Sequence, residues 1–288
     1  MLNLLCVPYH LGRRDVGMGK GPAALLDAGA ARIVQQADPD AVTEWVELSE
    51  PFEHEVQAGF TLQRDLASHV ATVREHGGFP VVLGGNCSCC VAAAAGVGET
   101  EDGGVVWFDA HADAHTPDTT TSGFLDGMPV SVLTGRSWSN MAKSIPGFKP
   151  LPDERVVLVG SRSMEDAERD LVAESGIRLL APPELSDDAQ PLVEALDALA
   201  AHVDSVHLHV DLDVIDLSDG RANEYAADGG PTLPELHHAI TTVGSRCRVN
   251  SVSLTSYNPD VDADGRALRS GLDLLGKLVD VAVDHAAR

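Results

Sequence analysis

Two short stretches concentrate side chains that can do chemistry. In "VVWFDAHADAH", Asp109, His111 and Asp113 recur at every second position after an apolar run, and in "VHLHVDLDVID" Asp211 and Asp213 repeat the spacing. Alternate residues of an extended chain point the same way, so the spacing predicts that each set converges on one point. Carboxylates with an imidazole form a hard donor set, suited to a divalent cation of the manganese type rather than to a zinc thiolate site. Carboxylates this close repel one another unless a cation lies between them. Either stretch alone also fits aspartates that cap turns at strand ends; together they are much more specific. A third stretch, "VVLGGNCSCC", closes an apolar run with Asn86 and the thiols Cys87, Cys89 and Cys90. Four readings are open for these thiols: redox groups, a zinc site, core packing, or one thiol standing among harder metal ligands.

The elements that must position these residues alternate along the chain. Apolar runs end in polar or glycine clusters at "NLLCVPYH", "FPVVLGGN", "GGVVWFDAHAD", "RVVLVGSRS", "GIRLLAP", "SVHLHVDLDVID" and "VNSVSLTSYNP". Between them, "GPAALLDAGAARIVQQA", "FTLQRDLASHVATVREHG", "DAQPLVEALDALAAHV" and "LPELHHAITTVG" have helical length, several with apolar residues three and four apart. "VAAAAGVG" reads as a helix start after a strand turn. The rhythm predicts an α/β fold, a central parallel sheet with helices on both faces. Ligands of such folds gather at the carboxyl ends of the strands, where the motifs fall. No repeat or low-complexity linker interrupts the pattern, so a single domain over residues 1–288 is expected.

Composition excludes several classes. A chain of 288 residues, 44% hydrophobic, can bury a sizeable core. A net charge of −24 argues against nucleic acid. No apolar run approaches the ~20 residues of a bilayer span, and the charges of "MLNLLCVPYHLGRRDVG" follow its apolar segment, the reverse of a signal peptide. A cytoplasmic location is expected. Five cysteines do not make a disulfide framework and are expected as thiols.

The motifs resemble those of the ureohydrolase family of arginases and agmatinases. The family pattern Gly-Gly-Asp-His-Ser, Asp-Ala-His-x-Asp and Asp-x-Asp-x-x-Asp-Pro stands here as "GGNCS", "DAHAD" and "DLDVID". "GRRDVGMGKGPAALLDAG", "VGSR" and "SYNP" extend the likeness over almost the whole chain. The resemblance implies a three-layer arginase-like fold holding two Mn²⁺ per chain at Asp109, His111, Asp113, Asp211 and Asp213, with Cys87 where the family has histidine. A thiolate is softer than imidazole and weakens manganese binding, so one of the two ions is expected to be weakly held. His209, two residues before Asp211, is an alternative source of the missing imidazole, against the commoner fate of a packed histidine. The implied chemistry is hydrolysis of a guanidine, with Asp113 orienting the attacking water and Asp216 in a supporting place.

The same resemblance sorts the substrate side into matches and departures. "HTPDTTTSGFLDG" is closer to arginases than to agmatinases, and Ser122 falls where arginases bind the substrate carboxylate, although two asparagines of that site become His115 and Phe124. Glu165 and Glu168 stand where arginases face the α-amino group; the alternative is a pair of exposed loop acids. The histidine credited with proton shuttling is Asp126, and the glutamate that grips the guanidinium is Ser256, with Glu224 as a candidate replacement carboxylate. Losing that glutamate disfavours a full cation, whereas an Nω-hydroxyguanidine can enter neutral. The chain therefore resembles the relatives, found in antibiotic-producing bacteria, that cleave Nω-hydroxy-L-arginine to hydroxyurea and L-ornithine. An ordinary arginase or agmatinase, or a silent member that binds a ligand or partner, is the alternative. A trimer or hexamer is implied by the family.

Overall fold

The strands form because their sequences can be buried on both faces. In the computed structural model, which describes residues 1–98, 103–185 and 189–286, every residue of β1 (Leu2–Val7), β5 (Phe79–Gly84), β6 (Gly103–Phe108), β7 (Val156–Val159), β9 (Ser205–Asp211) and β10 (Val249–Thr255) is buried. With β4 (Val42–Trp45) and β8 (Arg178–Leu180) at its edges they make an eight-stranded sheet in the order β4-β1-β5-β10-β9-β6-β7-β8. Every pairing in it is parallel. A separate antiparallel ribbon joins β2 (Tyr9–His10) to β3 (Arg13–Arg14).

Alternation along the strands divides the core in two. On one face Leu4, Val81, Val106, Leu208 and Leu254 meet the helices Gly21–Asp27, Ala30–Ala37, Gln190–Ala200, Leu233–Arg246 and Arg266–Ala286. On the other Leu5, Val82, Trp107 and Leu158 meet Glu55–Glu75, Cys89–Gly96 and Pro129–Leu133. This is the expected three-layer α/β architecture.

Some local expectations change. The segment 21–37 is two helices rather than one, because Gly29 adopts φ +112°, a left-handed conformation that ends the first helix and caps the second. The strand β4 carries no continuous apolar run; all four of its residues are exposed, as an edge permits. Gly85 follows β5 because a Cβ there would lie 2.2 Å from the Tyr9 carbonyl oxygen, so only glycine lets the chain turn into Asn86 and Cys87. No helix among the described residues is long and apolar enough to cross a membrane.

Candidate metal centre and active site

The carboxyl ends of β5, β6, β9 and β10 deliver Cys87, Asp109, Asp211 and Ser256 to one place. The expected extended alternation is replaced by a tighter device, used twice. After β6 the His111 amide donates to Asp109 Oδ1 at 2.7 Å, and after β9 the Asp213 amide donates to Asp211 Oδ1 at 2.8 Å. Each aspartate folds the chain over its own side chain, so the next ligand returns to the same point without a strand continuing. Asp113 then takes φ +47° and Ser256 φ +69°, conformations unusual for residues other than glycine and typical of functional sites.

The donor atoms converge. Ligand atoms of Asp109, His111 and Asp213 lie within 4.8 Å of one another, and so do those of Cys87, Asp109 and His209. Asp109 belongs to both sets, as a carboxylate shared by two neighbouring cation positions would. His111 Nδ1 is 3.3 Å from Asp109 Oδ1 and 3.4 Å from Asp213 Oδ2. Trp107 Nε1 donates to Asp109 Oδ2 at 2.9 Å, and the Asn223 side-chain amide donates to Asp213 Oδ2 at 3.1 Å. The Cys87 thiol donates to Asp211 Oδ2 at 2.7 Å and lies 3.2 Å from Ser256 Oγ.

Electrostatics agree that a cation belongs here. Burial, then the Asp213 charge, pushes Asp109 up to about 6. Burial followed by the Asp109 charge holds Asp113 well above the usual carboxylate range, and burial followed by the Asp213 charge does the same to Asp211. Burial works against protonating His111, yet the carboxylates of Asp213 and Asp109 push it up to about 12. Burial, then the Asp211 charge, holds the Cys87 thiol well above its ordinary value. Divalent charge would relieve every one of these costs except the imidazole proton, which it would displace. The donor set therefore fits a divalent pair held by Cys87, Asp109, His111, Asp113, Asp211 and Asp213.

Comparison with known proteins decides the family. The Arginase family profile matches residues 2–279. The chain belongs to the arginase family. It is 30% identical to the arginase of Bacillus caldovelox over 291 residues, 96% of this chain and 97% of the relative, and 30% identical to that of Bacillus subtilis over 295 residues, with the same coverage. The solved structure of the Bacillus caldovelox arginase superposes with a TM-score of 0.87 at 29% identity, covering 96% of this chain and 97% of the other. As a member of the arginase family the chain is a metal-dependent hydrolase of guanidino compounds.

Around the arginase-type centre opens a cleft of about 820 Å³, lined by Cys87, His111, Asp113, His115, Ser122, Phe124, Asp126, Glu165, Glu168, Asp211, Asp213 and Ser256. Glu168 is not an exposed loop acid. It is buried, accepts from the Ala114 amide at 3.1 Å and pairs with His115 Nε2 at 3.1 Å. Glu165 is exposed and caps the helix Asp166–Glu174, with Thr121 donating to it at 3.1 Å. Asp126 holds the turn that carries Cys87: it accepts from Asn86 Nδ2 at 2.6 Å and from the amides of Cys87 and Ser88 at 3.1 and 3.0 Å.

Two sequence expectations are redirected. Glu224 turns aside to the Asn258 amide at 2.6 Å and is not among the residues lining the cleft; its neighbours Asn223 and Tyr225 are. Asp216 accepts from the Ser218 amide at 2.9 Å, capping the turn after β9 rather than supporting the ligands. Sequence reasoning missed Asn223, which joins Asp213 to the Ser256 carbonyl at 3.1 Å; a short amide beside Glu224 carried no motif to mark it.

Proposed function

We propose that the chain is a manganese hydrolase of Nω-hydroxy-L-arginine, releasing hydroxyurea and L-ornithine. One observation carries the substrate assignment. Where the family resemblance places a guanidinium-gripping glutamate, buried Ser256 stands with its hydroxyl 3.2 Å from the Cys87 sulfur, and Glu224, tied to Asn258, does not replace the missing charge. A cationic guanidinium entering there would lose hydration without gaining a carboxylate partner. A hydroxyguanidine can enter uncharged.

Cys87, Asp109, His111, Asp113, Asp211 and Asp213 would hold a divalent pair, which would supply Lewis acidity and lower the pKa of a water in the cleft. The side chains do the rest. Asp113 faces the cleft and orients the attacking water; the water oxygen adds to the guanidine carbon, the bond to the ornithine nitrogen breaks, and that nitrogen takes up a proton. His115 and Glu168, 3.1 Å apart, place an imidazole and a carboxyl group at the amino-acid end, and Ser122 offers a hydroxyl for the substrate carboxylate. A trimer or hexamer is part of this reading by family resemblance.

The relatives' names favour a second reading, hydrolysis of arginine itself. Steady-state kinetics with saturating Mn²⁺ on Nω-hydroxyarginine, arginine, agmatine and guanidinobutyrate separates the two. We expect kcat/KM for the hydroxylated substrate to exceed that for arginine by roughly 10²- to 10³-fold, the scale of one unpaired buried charge. An enzyme that prefers arginine overturns the substrate assignment and leaves the family standing.

A further inference from the structure

Beneath the cleft, β9 aims His207, His209 and Asp211 at one face of the sheet, opposite Ser251, Ser253 and Thr255 of the adjoining β10. His209 is 0% exposed and its ring lies against Trp107, centroids 4.1 Å apart. Its Nδ1 is 2.8 Å from Ser253 Oγ, whereas its Nε2 is buried with no hydrogen-bond partner. A buried polar nitrogen is seldom left unpaired, and here a nitrogen of the ring shares a 4.8 Å circle with the Cys87 sulfur and an Asp109 oxygen. Donors ~2.0–2.3 Å from a common ion span a similar distance.

We propose that His209 is a ligand of the cation on the Cys87 side, its Nε2 supplying the imidazole that position 87 does not. The proposal rests on the metal-hydrolase reading and deepens it. The Ser253 hydroxyl fixes the ring by its other nitrogen, the arrangement usual for ligating histidines. A competing donor set one layer down, Cys90, His207 and His209, lacks this fit. Both nitrogens of His207 are already engaged, with Ser251 at 2.7 Å and Ser253 at 2.9 Å.

The test is spectroscopic and needs no turnover. Metal-free full-length protein, labelled with ¹⁵N-histidine, is loaded with Co²⁺. A sulfur-to-cobalt charge-transfer band reports Cys87, and strongly hyperfine-shifted imidazole resonances count the ligating histidines. We expect two such histidines in the parent, His111 and His209. His209→Gln should abolish one and weaken cobalt at the thiolate side by more than about 100-fold. Ser253→Ala, which removes the outer partner of His209 together with one partner of His207, should weaken it by about 10–100-fold. A parent protein that shows the thiolate band with one ligating histidine overturns the proposal and spares the hydrolase reading. Failure to bind Co²⁺ or Mn²⁺ at all overturns both, and the parent spectrum decides even if the variants do not fold.

Discussion

The thiol at position 87 donates a hydrogen bond to Asp211, and a cation bound there would displace its proton. Burial and four neighbouring carboxylates hold it protonated, and its donation to Asp211 at 2.7 Å keeps two ligand atoms together in the meantime. Cys87→His should therefore raise manganese loading at that side, while Cys89→Ala and Cys90→Ala leave it unchanged; metal analysis after gel filtration reads the result. Equal loading in all four proteins would return Cys87 to packing. Ser256 makes the complementary case. Ser256→Glu restores a carboxylate and should recover arginine turnover by about 10-fold or more, measured as kcat/KM. If only hydroxyarginine turnover changes, position 256 does not read substrate charge. At this scale the two aspartate stretches were legible because each closes an apolar run and the pair together is far more specific than either alone, as the same spacing at Asp38 and Asp40 or at Asp260, Asp262 and Asp264 serves turns. Asn223 and the buried state of Glu168 were not, since neither an amide one residue from a conspicuous acid nor a capping glutamate shows where its neighbours will fold.

Elements position these residues through turns more than through strands. The apolar runs announced β1, β5, β6, β7, β9 and β10, because strands buried on both faces need continuous hydrophobic sequence. They could not announce β4, whose exposed residues pair along only one side, nor the break at Gly29 inside an otherwise helical pattern. The Asn86–Ser88 turn depends on a residue 38 to 40 positions away, a dependence invisible to local pattern. Asp126 accepts three hydrogen bonds from it, and burial is the chief reason its pKa is raised despite them. Asp126→Ala would leave the Cys87 and Ser88 amides and the Asn86 side chain unsatisfied, at about 1–3 kcal/mol for each buried group. We expect a lower midpoint in urea together with reduced metal loading. An Asp126→Ala protein as stable and as metal-replete as its parent would make the carboxylate dispensable to the turn, and leave a chemical role as its reason for being there.

For the molecule as a whole, the site is a source of instability that its cation relieves. In metal-free protein Asp109 rises to about 6, and Asp113 and Asp211 rise well above the usual range, chiefly through burial. A carboxyl whose folded pKa is raised contributes stability below its unfolded value near 3.8, and loses it as pH climbs through the folded value. His111, raised from 6.5 to about 12 by Asp213 and Asp109 against its burial, also gives up stability as pH rises above 6.5. Asp213 is displaced the other way, to about 2, because its contacts with His111 outweigh its burial, so its contribution fades only below about pH 4. Burial holds His207 down to about 3 and His209 well below 6.5, so these two oppose the trend below about pH 6.5; between about pH 6.5 and 8 the direction is single, and metal-free protein should lose stability as pH rises. The overall charge of −24 adds repulsion in the same sense, which is why a local control is needed. Added Mn²⁺ is expected to reverse the trend, since a cation bound to the folded site would replace protons at these groups. Calorimetric midpoints in chelator should fall across that window and rise in excess Mn²⁺, with Asp211→Asn flattening the chelator profile at unchanged ionic strength. A metal-free midpoint that climbs from about pH 6.5 to 8 would mean that the carboxylates are reconciled by something other than protons or a cation.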